Sequence, residues 1–489
     1  MGEEEIIALR TAKLERLRSR GIDPYPSHSH PSHTTRQALD LLEGRDQSSD
    51  SVTIAGRITA MRHMGKATFL DLRDGSGRIQ TYLKQDILGP ETYETLHDLD
   101  IGDFLSVRGP LFRTKTGEPT VQVEALTVLA KALRAPPEKW HGLQDVEVRY
   151  RQRYLDLMAN TEVRDTFLAR SRIITAIRRF LDDRGFLEVE TPVLQPAAGG
   201  AAAKPFATYH NALDRQLYLR IALELYLKRL VIGGYDRVYE IGRIFRNEGV
   251  SAKWNPEFTM LESYQAYADY NDVMDMVEEM ISTVAGEALG DTTVAHADTK
   301  IDFAPPWPRL TLRDAIKQHS GVDFEEHPDV ESMREAAASC GIAVEETWGR
   351  GKLIDELLSA KVEPNLIQPT FLLDYPVELS PLAKRKPDNP RLVERFELFI
   401  AGREVGNAYS ELNDPLDQRE RMLQQAQLHA AGDEEVELAD EEFLVALEYG
   451  MPPCGGLGIG IDRLVMALTG QPSIREVILF PHLRDRGQP

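Results

Sequence analysis

Apolar positions recur at helical spacing in only a few stretches of this chain, and the first is at its start. Residues 3 to about 20 put Ile7, Leu14 and Leu17 on one side, with Arg10, Lys13, Arg16, Arg18 and Arg20 between them. That pattern predicts a helix, which Gly21, Pro24 and Pro26 end. From Val52 to about Lys131 the period shortens to short β-rich runs separated by turn signals: VTIAGRIT, ATFLDLRD, RIQTYL, FLSVRGPLF and TVQVEALTVL. Five strands in so short a span suit a five-stranded barrel of the OB type, whose open face commonly holds single-stranded nucleic acid. Ala135, Pro136 and Pro137 then open a linker.

Beyond the linker, helical and strand patterns alternate. Thr161 to Asp183 reads as an amphipathic helix, FLEVETPVL as a strand interrupted by Pro192, and 220–232 as a helix. Tyr239 to Tyr267 reads as two strands joined by the loop NEGVSAKWNP. A more polar helical block, 271–361, looks like an insertion. Arg395 to Glu411 returns to strand, and GGLGIGIDRLVMALTG is a glycine-rich strand running into a helix. The expected domains are 1–50, an N-terminal helix and connection; 51–135, the barrel; 136–155, a linker; and 156–489, an α+β domain with an antiparallel sheet flanked by helices.

Composition narrows the class. The chain has 489 residues with 42% hydrophobic and 28% charged positions, which excludes disorder or a fibre as the description of the whole. No run approaches the ~20 apolar residues a membrane span needs, and the acidic start MGEEEIIALR does not look like a secretory signal, so a cytoplasmic protein is expected. With only Cys340 and Cys454, a disulfide framework and a four-thiolate metal site are both excluded. The formal charge of −21 disfavours a polyanionic partner only until its distribution is read. Asp433 to Glu442 holds seven acids, whereas Val148 to Arg184 has nine arginines against five acids, which leaves room for a basic surface. His28, His30 and His33 lie close together, but a Ser/Pro-rich loop is a weak metal signal.

Strand parity supplies the candidate chemistry. Side chains two apart share a face of a strand, so Phe258, Met260, Glu262 and Tyr264 are grouped on one side of EFTMLESY, and Arg246 with Glu248 at the end of the preceding strand. A guanidinium forks onto phosphate and an aromatic ring stacks on a base. The same parity groups Asn407, Tyr409 and Glu411. Glu397 and Glu404 offer hard oxygens for Mg²⁺ beside a polyphosphate. Glu404 has the opposite parity to Glu411, so both face one pocket only if the strand bulges near Gly406. Neither common phosphate loop is present, because Arg463 falls where the last glycine of GxGxxG belongs.

Together these segments resemble the class II aminoacyl-tRNA synthetases, and among them the bacterial-type lysine enzymes of class IIb. GFLEVETPVL, FRNEGVSAKWNPEFTMLESY and GLGIGIDRLVMAL are similar to the three class motifs. YRQRYLDL, LYLRIALELYLKRLVIGG and VGNAYSELNDP are similar to segments typical of the lysine enzymes. The resemblance implies ATP-dependent activation of L-lysine and transfer to tRNA(Lys) by a homodimer joined at the first motif, with Pro192 at the interface. It implies that Arg246 and Arg463 are catalytic and that Arg246, Glu248, Asn255, Phe258, Glu397 and Arg463 hold ATP. Glu397 and Glu404 would hold Mg²⁺. Gly200, Glu224, Arg246, Glu262, Tyr264, Asn407, Tyr409 and Glu411 would hold lysine, while Arg62, Phe69 and Gln80 would read the anticodon and the basic N-terminal helix would add a weak RNA contact. Three residues depart from the family pattern: Trp254 stands where histidine is usual, Leu223 where proline is usual, and Tyr409 where bacterial members commonly have phenylalanine.

Overall fold

The computed structural model describes residues 2–137, 143–430 and 440–485. The expected linker at 136–155 and the acidic stretch 433–442 therefore lie partly outside the described residues. The chain divides into two compact units, Met1–Gln144 with Tyr154–Ala159, and Asp145–Arg153 with Asn160–Pro489.

The first unit opens with helix α1 (Glu3–Ser19), which buries Leu14 and Leu17 as its spacing predicts. Several of its cations are engaged within the unit. Arg10 is buried and donates to the carbonyls of Ile101, Ala132 and Arg134. Lys13 pairs with Asp100, and Arg16 and Arg20 with Asp98. Six strands follow: β1 (Gln47–Met64), β2 (Ala67–Arg73), β3 (Arg78–Lys84), β4 (Phe104–Arg113), β5 (Pro119–Gln122) and β6 (Ala125–Ala130). Their order is β1-β2-β3-β5-β4-β6, with a further β1–β4 pairing that brings the sheet back to its first strand. The fifth sequence run is thus two strands. It bends after Gln122 so that β5 lies between β3 and β4 while β6 pairs with the other end of β4. Gly109 permits the crossing, because a Cβ there would sit 1.7 Å from the Gln122 carbonyl oxygen. Alternate residues, among them Val52, Ile54, Leu70, Leu72, Ile79 and Val107, fill the interior, each stabilising the unit by about 1.5–3 kcal/mol relative to exposure.

The second unit is built on an eight-stranded sheet. Its strands are β7 (Leu187–Glu188), β8 (Arg237–Phe245), β9 (Glu257–Ala266), β10 (Arg309–Thr311), β11 (Thr370–Leu373), β12 (Arg395–Ile400), β13 (Arg403–Ser410) and β14 (Cys454–Gly460). They lie in the order β10-β11-β12-β13-β14-β9-β8-β7. The centre is antiparallel, and only the two end pairings are parallel. Helix α2 (Thr161–Asp182) contributes Ile173, Ile177 and Phe180 to a core that also takes Leu261, Leu398, Leu457 and Ile459 from the sheet. Helix α3 (Glu224–Ile232) is shorter than 220–232, since residues 220–223 lead into it as loop. FLEVETPVL is not one strand. Leu187–Glu188 joins the large sheet and Leu194–Gln195 joins a separate three-stranded one, because Pro192 interrupts the ladder between them.

The block 271–361 is not of one kind. Helix α4 (Tyr270–Leu289) buries Val273, Val277, Met280, Ile281 and Val284 in the main core, and β10 is an edge strand of the large sheet. Only the helices from Leu312 onward, including α5 (Arg350–Leu357), gather a second core around Ile316, Met333 and Leu353. Finally α6 (Ile461–Thr469) starts directly at the end of β14.

Candidate active site

One face of the large sheet carries a cleft of about 1290 Å³. Phe258, Met260, Glu262 and Tyr264 of β9 all line it, as their parity requires, while Leu261 points into the core. Gly456, Gly458 and Gly460 of β14 line it too, and they differ in purpose. A Cβ on Gly456 would fall 1.8 Å from Glu411 Oε1 and 2.7 Å from Tyr264, so its missing side chain makes room for the protein's own groups. At Gly458 and Gly460 nothing comes closer than 3.8 Å, and the bare backbone is left to a flat ligand. The bulge needed to bring Glu404 and Glu411 to one pocket is present. Leu398 pairs with Gly406 and Phe399 with Glu404, which leaves Val405 as the extra residue of β13.

At the floor of the cleft acids gather out of water. Glu262 accepts from the Leu223 N–H at 2.8 Å and from the Tyr264 hydroxyl at 3.0 Å. Burial, then the neighbouring Glu224 charge, pushes it up to about 7. Glu224 accepts from the Tyr409 hydroxyl at 2.6 Å. Lys228, one turn further along α3, pairs with both Glu224 and Glu411. Glu411 is only 1% exposed, and its Oε1 has no hydrogen-bond partner among the described residues. Gly200, at φ +85°, brings its backbone close to Glu224: a Cβ there would be 3.3 Å from that of Glu224. Asn407 lines the same wall, its amide oxygen accepting from Arg395 at 2.9 Å.

The other end is cationic and more open. Arg246 follows β8, donates to the Ile221 carbonyl at 3.3 Å and lies 5.3 Å over the Phe258 ring. Arg463, in the first turn of α6, donates to the Glu404 carbonyl at 2.7 Å and to its carboxylate at 3.1 Å, and stands 4.7 Å over the Trp254 ring. The unusual tryptophan thus cradles an arginine by its π face. Asp462 beside it is structural: Arg170 pairs with it at 2.6 Å and the Thr259 N–H donates to it at 2.7 Å.

Not every expected residue reaches the cleft wall. Glu248 is exposed on the loop beyond it, its N–H turned back to the Arg246 carbonyl at 2.8 Å. Asn255 lines the cleft but is engaged internally, its side chain donating to the Glu257 carbonyl and accepting from the His482 N–H. Glu397 lies behind the lining, held by the Tyr375 hydroxyl at 2.7 Å and Arg395 at 2.6 Å. Burial, with the Glu404 charge adding, pushes Glu397 up to about 7 against the pull of Arg395, and burial likewise raises Asp355 of α5. Mutually repelling hard-oxygen donors of this kind fit Mg²⁺, which takes one or two carboxylates and draws its other ligands from phosphate and water. Among the described residues no three His, Cys, Asp or Glu side chains form a metal-holding group. His28 and His33 are occupied by the neighbouring Ser27 and Ser32 hydroxyls.

In the first unit, Arg62, Phe69 and Gln80 stand on adjacent strands, with Arg62 opposite Phe69 and Gln80 opposite Asp71. Phe69 is half-buried and outside the hydrophobic core. Its ring lies 4.9 Å from Tyr82, which in turn meets Phe112 at 6.2 Å, so the platform is larger than the single ring anticipated. Buried Asp71 orients Arg62 and Arg78, and Gln80 accepts from Thr120 at 3.0 Å.

Sequence reasoning missed Lys228, although a lysine within the buried stripe Leu225, Leu227, Val231 one turn after a glutamate was a visible anomaly. It also missed the Leu223 N–H, a donor that the usual proline lacks, and the Arg395–Tyr375 support of Glu397.

A family model for class II tRNA synthetases (D, K and N) matches residues 145–484, and one for the OB-fold nucleic acid binding domain matches 52–129. The chain belongs to the class II tRNA synthetases. Among curated relatives it is 59% identical to the lysine–tRNA ligase of Moorella thermoacetica and 58% identical to that of Dehalococcoides mccartyi, with 99% of each chain covered. It is 55% identical to that of Roseiflexus sp., with the same coverage.

Proposed function

We propose that this chain activates L-lysine with ATP and transfers it to tRNA(Lys), releasing pyrophosphate and then AMP. The observation that carries the reading is the floor of the cleft: a buried carboxylate oxygen of Glu411 without a hydrogen-bond partner among the described residues, beside Glu262 and the Tyr264 hydroxyl. A primary ammonium satisfies such a set, whereas an acidic side chain would be repelled by it.

In this reading Glu224 and the Gly200 backbone hold the α-ammonium, Arg246 and Asn407 hold the carboxylate, and Glu262, Tyr264, Tyr409 and Glu411 form the side-chain pocket. Phe258 stacks on adenine, with Asn255 and Glu248 at the nucleotide's edge, and Arg463 covers the opposite face. The carboxylate is ionised at neutral pH, so no general base is needed. One of its oxygens attacks the α-phosphorus in line and pyrophosphate departs, with Arg246 and Arg463 placed to stabilise the developing charge. Mg²⁺, held by Glu404 and Glu397, would neutralise phosphate charge. A terminal ribose hydroxyl of the tRNA then attacks the lysyl carbonyl and AMP leaves.

Single-strand recognition falls to Arg62, Phe69 and Gln80, where an aromatic platform flanked by cations suits stacked RNA bases. A homodimer is part of the reading, supported by the exposed apolar side chains of Leu187, Val193 and Leu194, near Pro192 in the chain, and of Leu168 on α2. So is a cytoplasmic location; no described helix is long and apolar enough to cross a membrane.

The test is ATP–pyrophosphate exchange without tRNA, with each proteinogenic amino acid in turn. Exchange with lysine alone is expected. Silence with all of them would leave an RNA-binding protein without adenylation activity.

A further inference from the structure

Lys228 has no part in the mechanism above, yet it lies directly beneath the floor of the cleft, against two of the acids that line it. It is wholly out of water, with the Tyr409 and Phe443 rings 5.6 and 5.7 Å from its ammonium. It pairs with both Glu224 and Glu411, the two carboxylates assigned to opposite ends of the same lysine molecule. Each gives Lys228 one oxygen. The second oxygen of Glu224 accepts from Tyr409, and that of Glu411 has no partner among the described residues.

We propose that Lys228 is a positioning residue for substrate selection, an internal counter-ion that bridges Glu224 and Glu411, favours the charged form of a carboxylate beside it and holds the two at a fixed separation. The inference rests on the lysine reading of the site. Its physical basis is charge balance in a dry pocket. Three carboxylates, Glu224, Glu262 and Glu411, cannot all stay ionised there without a cation. Burial disfavours the Lys228 charge, but Glu224 and Glu411 outweigh it and the net shift is upward, so the ammonium persists; burial holds Glu411 above the ordinary carboxylate range, with the Lys228 charge the chief pull against it. One internal ammonium and the two of a bound lysine then balance the three acids, while Arg246 balances the substrate's own carboxylate. An amino acid with a neutral side chain leaves one buried negative charge unpaired, which is costly, so the same cation that steadies the empty pocket also sets the charge a substrate must bring.

The titratable groups facing this trio are Glu262 and Tyr264 on β9, Tyr409 on β13 and Cys454 on β14. Lysine-dependent exchange on the full chain tests the proposal with Lys228→Met and Lys228→Gln, the second retaining a donor toward the carboxylates should the first fail to fold. At about pH 7 the KM for lysine rises at least about tenfold in either variant, the scale of unpairing a buried charge, while the KM for ATP stays within about twofold. At about pH 8.5 much of the loss is recovered, as the carboxylate that took up a proton ionises again. A merely structural lysine would lower kcat or the folded fraction without that recovery. A lysine KM close to wild type, or a rise that pH leaves untouched, overturns the proposal. A wild-type chain silent with lysine defeats the functional reading as well, and is told apart because it needs no variant.

Discussion

On the six-stranded sheet, Asp71 is buried at 4% side-chain exposure while its partners Arg62 and Arg78 stay about half exposed, at 48% and 49%. At the eight-stranded sheet, Lys228 of α3, Glu411 just past β13 and Glu262 of β9 are all out of water. Both faces place charge beside aromatic rings, yet the physics differs. The exposed arginines act in high dielectric, where attraction is screened and tolerant of the partner's identity. The buried acids act where an unmatched charge costs several kcal/mol, so they reject what does not complement them. A shallow face suits a flexible polyanion held by stacking, and a dry floor suits choosing one amino acid.

The contrast is broken most severely at the deep site. Arg246→Ala removes the guanidinium proposed to meet the phosphate and carboxylate, and lysine-dependent exchange should fall by about 10³-fold, the loss typical of a preorganised charge that stabilises a transition state. Near-normal exchange would remove Arg246 from the reacting phosphate. Glu411→Gln keeps the shape and deletes the charge. Its kcat/KM for lysine should fall by about 100-fold with the KM for ATP little changed, as expected when a buried polar site loses its complement. Equal effects on both substrates would argue for a general packing role.

The shallow face should respond less, and only in the second step. Phe69→Ala removes one ring of the Phe69–Tyr82–Phe112 platform, so the KM for tRNA in aminoacylation should rise by about tenfold, the worth of one stacked base. Exchange without tRNA should be unaffected. A fall in exchange would contradict the assignment of separate tasks to the two sheets.

Much of this was legible because a strand's period of two is rigid. Phe258, Met260, Glu262 and Tyr264 had to share a face, and the Glu404–Glu411 conflict in parity announced the bulge at Val405. What escaped notice depends on partners distant in sequence. Nothing local distinguishes Tyr270–Leu289, a helix of the main core, from the helices after Leu312, which build a second core against Leu372 and Phe399 of the sheet. The cations of α1 read as a basic surface until Asp98 and Asp100, some eighty residues away, were found to neutralise several of them. The resemblance put Glu224 and Glu411 near the substrate, but Lys228 between them emerges only when helix and sheet are packed together.

The finest test concerns a single backbone hydrogen bond. Leu223 donates its N–H to Glu262 at 2.8 Å and so favours the carboxylate over the acid. Glu262 is nonetheless raised to about 7; in the proposed reading its charged form receives an ammonium, so kcat/KM for lysine should decline as pH falls through about 7. The same shift bears on stability with the opposite sense. A carboxyl raised on folding stabilises the free protein below its ordinary range and loses that contribution as pH rises toward about 7. Leu223→Pro restores the residue usual in the family and deletes the donor. Losing a hydrogen bond to a charged acceptor, about 1.5 kcal/mol at the low end, moves the acid limb upward by about one pH unit. At about pH 7 the variant should therefore lose roughly three- to tenfold in kcat/KM for lysine, and at about pH 8.5 it should match the parent. Coincident pH profiles would mean that the Leu223 N–H has no hold on Glu262, and that the depth of burial alone sets the charge of this pocket.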